Sequence, residues 1–139
     1  NLCGRFDKCW TCPPGVGRWE DLRDHYHRYA HAFVFTTVHP LEDSYDIEGM
    51  TEGREQHTGT ERAIEKLLFV ESEPLVVCGA GGCSLCEKCT YPDAPCRHPE
   101  LVRHSMEGIG IDVVTLAADC GLHYHNGVHT VTYFSIIFW

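Results

Sequence analysis

The chain has 139 residues, a formal net charge of −9 with histidine neutral, and nine cysteines. That length supports one domain with a real core, residues 1–139, and the acidic balance excludes phosphate-backbone binding, so nucleic acid is not an expected partner. No run of 18 or more apolar residues offers a membrane span, and no apolar signal segment with a basic flank opens the chain. An odd number of cysteines cannot pair completely within one chain; clustered thiols without a secretory signal point to a reduced, cytoplasmic setting.

Residues 1–19 are rich in Cys, Gly and Pro, with Cys3, Cys9 and Cys12 ahead of Pro13-Pro14-Gly15, and read as loop. Residues 20–30 are polar with Tyr26 and Tyr29 interleaved, the pattern of a short helix. Residues 31–39 are β-branched and aromatic, and Pro40 stops them: a strand. From about Thr51 to Val70, the residues Ala63, Ile64, Leu67 and Leu68 form one apolar helical stripe, with Glu61, Arg62, Glu65 and Lys66 on its flanks. Asp46, Glu48, Glu52 and Glu55 read as a solvated loop and helix start. Residues 74–78 are a short buried strand leading into Gly79-Ala80-Gly81-Gly82.

Residues 100–104 are expected to turn helical behind Pro99, and a further helix is expected from Ile109 or Asp112 to Cys120, closed by Gly121. Asn126-Gly127 marks a turn before a final strand over residues 129–139. The three strands are expected to share one sheet with helices over one face. The fold class is α+β: a small sheet of three or more strands covered by two or more helices, with Cys-rich metal-binding loops. Cys78 and Cys120 are expected to be small buried core residues.

The richest chemistry lies in Cys83-Ser-Leu-Cys86-Glu-Lys-Cys89, followed by Cys96. Two-residue gaps let neighbouring thiolates converge on one centre while the intervening N–H groups turn toward the sulfurs. Three thiolates at this spacing plus a fourth further on match the ligand logic of a [4Fe–4S] cluster. A structural zinc site more often pairs its ligands two and two, and zinc is the alternative. Cys3, Cys9 and Cys12 are three thiols short of a fourth; with Cys78, a histidine or an exogenous group they would make a second metal site. Arg97, next to Cys96, is placed to donate toward cluster sulfurs or to pair with a surface carboxylate. His25, His27, His123 and His125 read as solvated polar positions, and Trp10, Trp19 and Trp139 as packing. The stretch from Gly79 to Gly82 lacks the residues of a phosphate loop and reads as backbone that approaches a cluster closely.

Gly81-Gly82-Cys83-Ser-Leu-Cys86-Glu-Lys-Cys89-Thr-Tyr91-Pro92, then Pro95-Cys96-Arg97-His98-Pro99, Ser105-Met106-Glu107 and Gly110-Ile111-Asp112-Val113 resemble the family DUF2284 of predicted metal-binding proteins. Cys3 and Trp10-Thr-Cys12-Pro13-Pro14 resemble its opening, and Val131-Thr-Tyr-Phe134 its closing strand. The chain departs from that pattern at Cys9, which falls where no cysteine is expected, and at His104, which stands in place of a proline. The resemblance implies a cysteine-bound metal or iron–sulfur cofactor without assigning a reaction.

Three functions fit these residues. The first is an iron–sulfur protein for electron transfer or redox sensing, working beside a redox partner protein, with the acidic surface suited to a basic partner face. The second is a metal-dependent enzyme or cofactor-maturation component with an open iron position. The third is a structural zinc-binding interaction protein.

Overall fold

A computed structural model describes residues 4–68 and 75–139. Cys3 and residues 69–74, with the end of the expected helix and the start of the expected second strand, lie outside the described residues.

Three strands form one antiparallel sheet: β1 (Ala32–Pro40), β2 (Val76–Cys78) and β3 (Thr130–Phe138), in the order β1-β3-β2. The closing segment is therefore the central strand. Phe35 pairs with Ser135 on one side of β3, and Val77 pairs with Ile137 on the other. The fold is α+β, as the alternation of β-branched and helical segments suggests. Helix α1 (Trp19–Tyr26) precedes the sheet in sequence, α2 (Ile47–Leu68) follows β1, and α3 (Val113–Asp119) precedes β3.

The helices cover both faces of the sheet, not one. Side chains alternate along β3, so Phe134, Ile136 and Phe138 pack with Tyr26, Met106, Ile109, Val113 and Ala117 on the face of α1 and α3. Ile137 points the other way and packs with Phe35 and Val77, against Ile64 and Leu68 of α2. Residues 134–138 are all buried, which only a strand enclosed on both faces achieves.

Helix α2 corrects the expected stripe. Leu67 is 84 % exposed and Ala63 is exposed as well, while Ile64 and Leu68 are half-buried. The buried positions are Gly53, His57 and Glu61, spaced i, i+4, i+8. The face that meets the sheet is thus polar for two turns before it becomes apolar. Asp46 caps this helix, its carboxylate accepting from the Gly49 N–H at 2.8 Å. Gly53 is required by packing: a Cβ there would meet the His39 ring at 2.9 Å.

Asp112 caps α3 by accepting from the N–H groups of Val114 and Thr115 at 3.0 and 3.2 Å, and Gly121 follows its end at φ 68°. Val114 is 55 % exposed, and Cys120, expected in the core, is exposed because the short helix turns it outward. Residues 100–104 do not form the expected helix. A single turn at residues 99–101 gives way to extended backbone that bridges Gly79 and Ser105 in parallel, with the Gly79 N–H donating to the His104 carbonyl at 3.2 Å. The helical turn falls later, as a 3-10 helix over Glu107–Ile109.

Candidate metal centre

Strand β2 ends at Cys78, and the chain leaves the sheet through residues 79–82 into the cysteine loop. Cys78 is wholly buried in the core, with its thiol donating to the Tyr26 hydroxyl at 3.4 Å. Burial pushes that thiol up to about 11. This is the profile of a packing residue rather than a ligand.

Cys83, Cys86, Cys89 and Cys96 line one cavity, each partly buried, and Cys9 lines it with them. The loop closes on itself: the Arg97 Nη1 donates to the Lys88 carbonyl at 2.9 Å, and the Thr90 hydroxyl to the Pro95 carbonyl at 2.8 Å. Arg97 therefore straps the loop and pairs with no carboxylate among the described residues. The His98 N–H lies 3.4 Å from Cys96 Sγ and donates to it, the kind of amide–sulfur contact that stabilises a thiolate ligand.

The N-terminal loop folds onto this one. Thr11, fully buried, accepts from the Cys83 N–H at 3.2 Å and lies 3.3 Å from Cys9 Sγ, so one hydroxyl bridges the two loops. The Trp10 indole donates to the Ala94 carbonyl at 3.1 Å and meets Tyr91 edge-on, and the Tyr91 hydroxyl donates to Asp7 at 2.9 Å. Cys9 and Cys12 are both buried. A Cβ on Gly82 would stand 3.5 Å from Cys12 Sγ, placing Cys12 against the glycines and Cys9 on the cavity. The cysteine that departs from the family's opening is the one brought to the other four.

Charge is crowded here. Burial raises the Cys83 thiol above the ordinary range, and the nearby Cys9, Cys96 and Cys86 sulfurs raise it further. Burial also pushes Cys9 up, but hydrogen bonds from Thr11 and Cys12 and the charge of Arg5 outweigh it and leave Cys9 lowered. Thiolates converging on one cavity repel one another unless a cation sits between them, so the donor set fits a metal or an iron–sulfur cluster. Among the described residues, no group of three or more His, Cys, Asp or Glu side chains stands ready to hold a single metal ion.

A second polar assembly lies between α2 and the strands β1 and β3. Ser135, in the middle of β3 and fully buried, donates to Glu61 Oε1 and contacts His57 Nε2 at 2.8 Å. His57 Nδ1 meets the Thr37 hydroxyl at 2.7 Å, and Thr37 meets His39 Nε2 at 2.8 Å. Burial raises Glu61 above the usual carboxylate range, against the lowering pull of Ser135 and Arg103, and lowers His57 to about 4. Gly79 carries no side chain because Glu61 occupies that space: a Cβ there would collide with its carboxylate. The legible signal was Gly53, His57 and Glu61 continuing into Ile64 and Leu68 as one helical face.

His25, His27, His123 and His125 are exposed, as expected of solvated positions. His104 is half-buried, its Nδ1 2.8 Å from the Tyr26 hydroxyl, and burial and the nearby His25 lower its pKa.

A small α+β domain whose two cysteine loops close on one thiol-lined cavity is a metal-binding protein in its chemistry. Residues 1–139 match DUF2284, described as predicted metal-binding protein, and the chain belongs to that family. No curated protein and no solved structure matches it. Among the described residues no helix is long and apolar enough to cross a membrane.

Proposed function

We propose that the chain is an iron–sulfur protein in which Cys83, Cys86, Cys89 and Cys96 bind one [4Fe–4S] cluster, and that it serves electron transfer or redox sensing beside a partner protein in the cytoplasm. The observation that carries this reading is the single cavity lined by those four thiols. Their C-x2-C-x2-C spacing with a later fourth cysteine supports a cubane over a two-and-two zinc site. When bound, such a cluster supplies one-electron chemistry. The chain's own residues fix its surroundings: the His98 amide donates to the Cys96 sulfur, Arg97 holds the loop shut, and Thr11 ties the Cys83 backbone to the N-terminal loop. The net charge of −9 suits docking on a basic partner face.

The enzyme alternative has its own support. Cys9 makes a fifth thiol for four cluster corners, and Cys3, Cys9 and Cys12 as three ligands would leave a second iron with an open position.

Iron and acid-labile sulfide should each measure about four per chain, or about eight with a second cluster. Serine at Cys86 should abolish the brown absorption near 400 nm; full iron after that change sinks the assignment. Colourless protein carrying zinc would establish the structural alternative instead. Alanine at Cys12 should halve the iron if there are two sites and leave it unchanged if there is one.

A further inference from the structure

The cleft on the other side of the cysteine loop is lined by more cationic side chains than carboxylates. It measures about 360 Å³ and lies between α2 and the backbone of residues 79–82. Arg54, Arg62 and Arg103 line it, against a single carboxylate, Glu61. In a chain of net charge −9, a concentration of three guanidinium groups around one opening is a local inversion of sign. Glu65, outside the lining, pairs with Arg103, so the excess positive charge at the opening rests mainly on Arg54 and Arg62.

One donor in the cleft is unused. Arg103 spends its Nη2 on Glu65 at 2.6 Å, but its Nη1 is buried and has no hydrogen-bond partner. The nearest approach to Glu61 is 4.0 Å, beyond hydrogen-bonding distance. A buried guanidinium N–H without an acceptor costs free energy that a bound oxygen would recover. On the opposite wall Gly81 has open space where a side chain would stand, which leaves room for a ligand to approach the backbone there.

We propose that this cleft binds a small oxyanion, the carboxylate or phosphate group of a metabolite, with Arg103 Nη1 as the anchoring donor and Arg54 and Arg62 as its electrostatic frame. The site deepens the iron–sulfur reading and rests on it in one respect: Cys83 and Leu85 line both this cleft and the thiol cavity, so a bound molecule lies directly behind the cluster loop. Anion binding itself needs only the arginines. Guanidinium geometry suits planar carboxylate and tetrahedral phosphate oxygens equally, so the two sources share one chemistry.

The test is calorimetric titration of the full metal-loaded chain at fixed ionic strength. Sodium phosphate is used in one arm, sodium succinate in the other, and sodium chloride as the blank. Saturable binding in at least one arm is expected; the tighter arm identifies the phosphate or carboxylate source. Arg103→Gln should weaken that binding about tenfold or more, since it removes a charged hydrogen bond. Because Arg103 also holds Glu65, Arg54→Gln is run beside it, a change that breaks no ion pair among the described residues and should weaken binding several-fold. Heat release equal to the chloride blank in both arms, or unchanged affinity in both variants, overturns the proposal. Iron is counted on the same samples. Arginine-dependent binding in iron-free protein upholds this site while removing the cluster; four irons with no binding does the reverse.

Discussion

Replacing Ser135 with alanine isolates the energetic weight of the buried polar assembly. The hydroxyl is fully buried and serves two partners at once, Glu61 Oε1 and His57 Nε2. Little water reaches these groups to compensate: His57 is 1 % and Glu61 4 % exposed. Each buried polar atom left without a partner costs about 1–3 kcal/mol, so the pair should lose roughly 2–5 kcal/mol of folding stability. With a urea dependence of about 2 kcal/mol per molar, the unfolding midpoint should fall by roughly 1–2.5 M at unchanged slope. The assay is urea unfolding followed by circular dichroism at pH 7 on metal-loaded protein, with Val114→Ala on the exposed side of α3 as control. A loss below about 0.5 kcal/mol would refute the reasoning, because it would mean the partners find other acceptors or water.

The same assembly sets a pH dependence whose sign follows from the shifts. His57 is lowered from 6.5 to about 4 by burial first, so the folded protein keeps it neutral while the unfolded chain takes up a proton. Its contribution is fully present above about pH 6.5 and is lost as pH falls toward 4, by up to roughly 3 kcal/mol. Glu61 acts oppositely. Its raised pKa makes the folded state hold a proton longer, so its contribution grows as pH falls through the ordinary carboxylate range. The clean measurement is the stability difference between the natural protein and His57→Gln, which retains Glu61. That difference should shrink from pH 7 to pH 4, and a flat difference would show that His57 is not held neutral.

Gly79→Ala should lower the melting temperature by several degrees, since its Cβ collides with the Glu61 carboxylate, and overpacking of that kind costs about 1–3 kcal/mol. A change of less than a degree would place Glu61 elsewhere. Gly108→Ala sets a Cβ 2.8 Å from the Thr11 carbonyl and 2.9 Å from Ser105 Oγ, so it should push the N-terminal loop off the domain. Faster proteolysis within residues 4–17 together with reduced metal content is expected, and unchanged cleavage would mean that the loop is not docked there. Trp10→Ala removes the indole bond to Ala94 and the edge contact with Tyr91. It should speed metal loss to a chelator while changing global stability less than Ser135→Ala does.

Much of the fold was legible because its signals are local. The β-branched run ending at Pro40, the Asp112 cap with Gly121 after α3, and the final aromatic strand each name an element within a residue or two of where it lies. The two-faced covering of the sheet was harder to see. It depends on all of residues 134–138 being buried, and Ser135 in that run reads as a solvent-facing position until its partner on α2 is known. Residues 100–104 misled for a related reason. Pro99 is compatible with a helix start, but the Gly79 backbone needs hydrogen-bonding partners after β2 ends, and the backbone of His104 and Met106 supplies them.

The two sites divide along the same line. Cysteines at two-residue gaps advertise themselves because sequence neighbours become spatial neighbours whatever the rest of the fold does. Cys9 joining them depends instead on long-range contacts, Thr11 to Cys83 and Trp10 to Ala94, between segments more than seventy residues apart in the chain. The cleft is more extreme still: α2 supplies Arg54, Glu61 and Arg62, the chain beyond the cysteine loop supplies Arg103, and β3 supplies the serine that orients the carboxyl. No short motif joins these residues. What does join them is periodicity, since Arg54, Thr58, Glu61 and Arg62 lie within two turns of one helical face, beside the buried column of Gly53 and His57. A polar column on a helix that must cover a sheet is an unsatisfied demand for partners, and that demand, more than any motif, marks where the sequence has chemistry still to place.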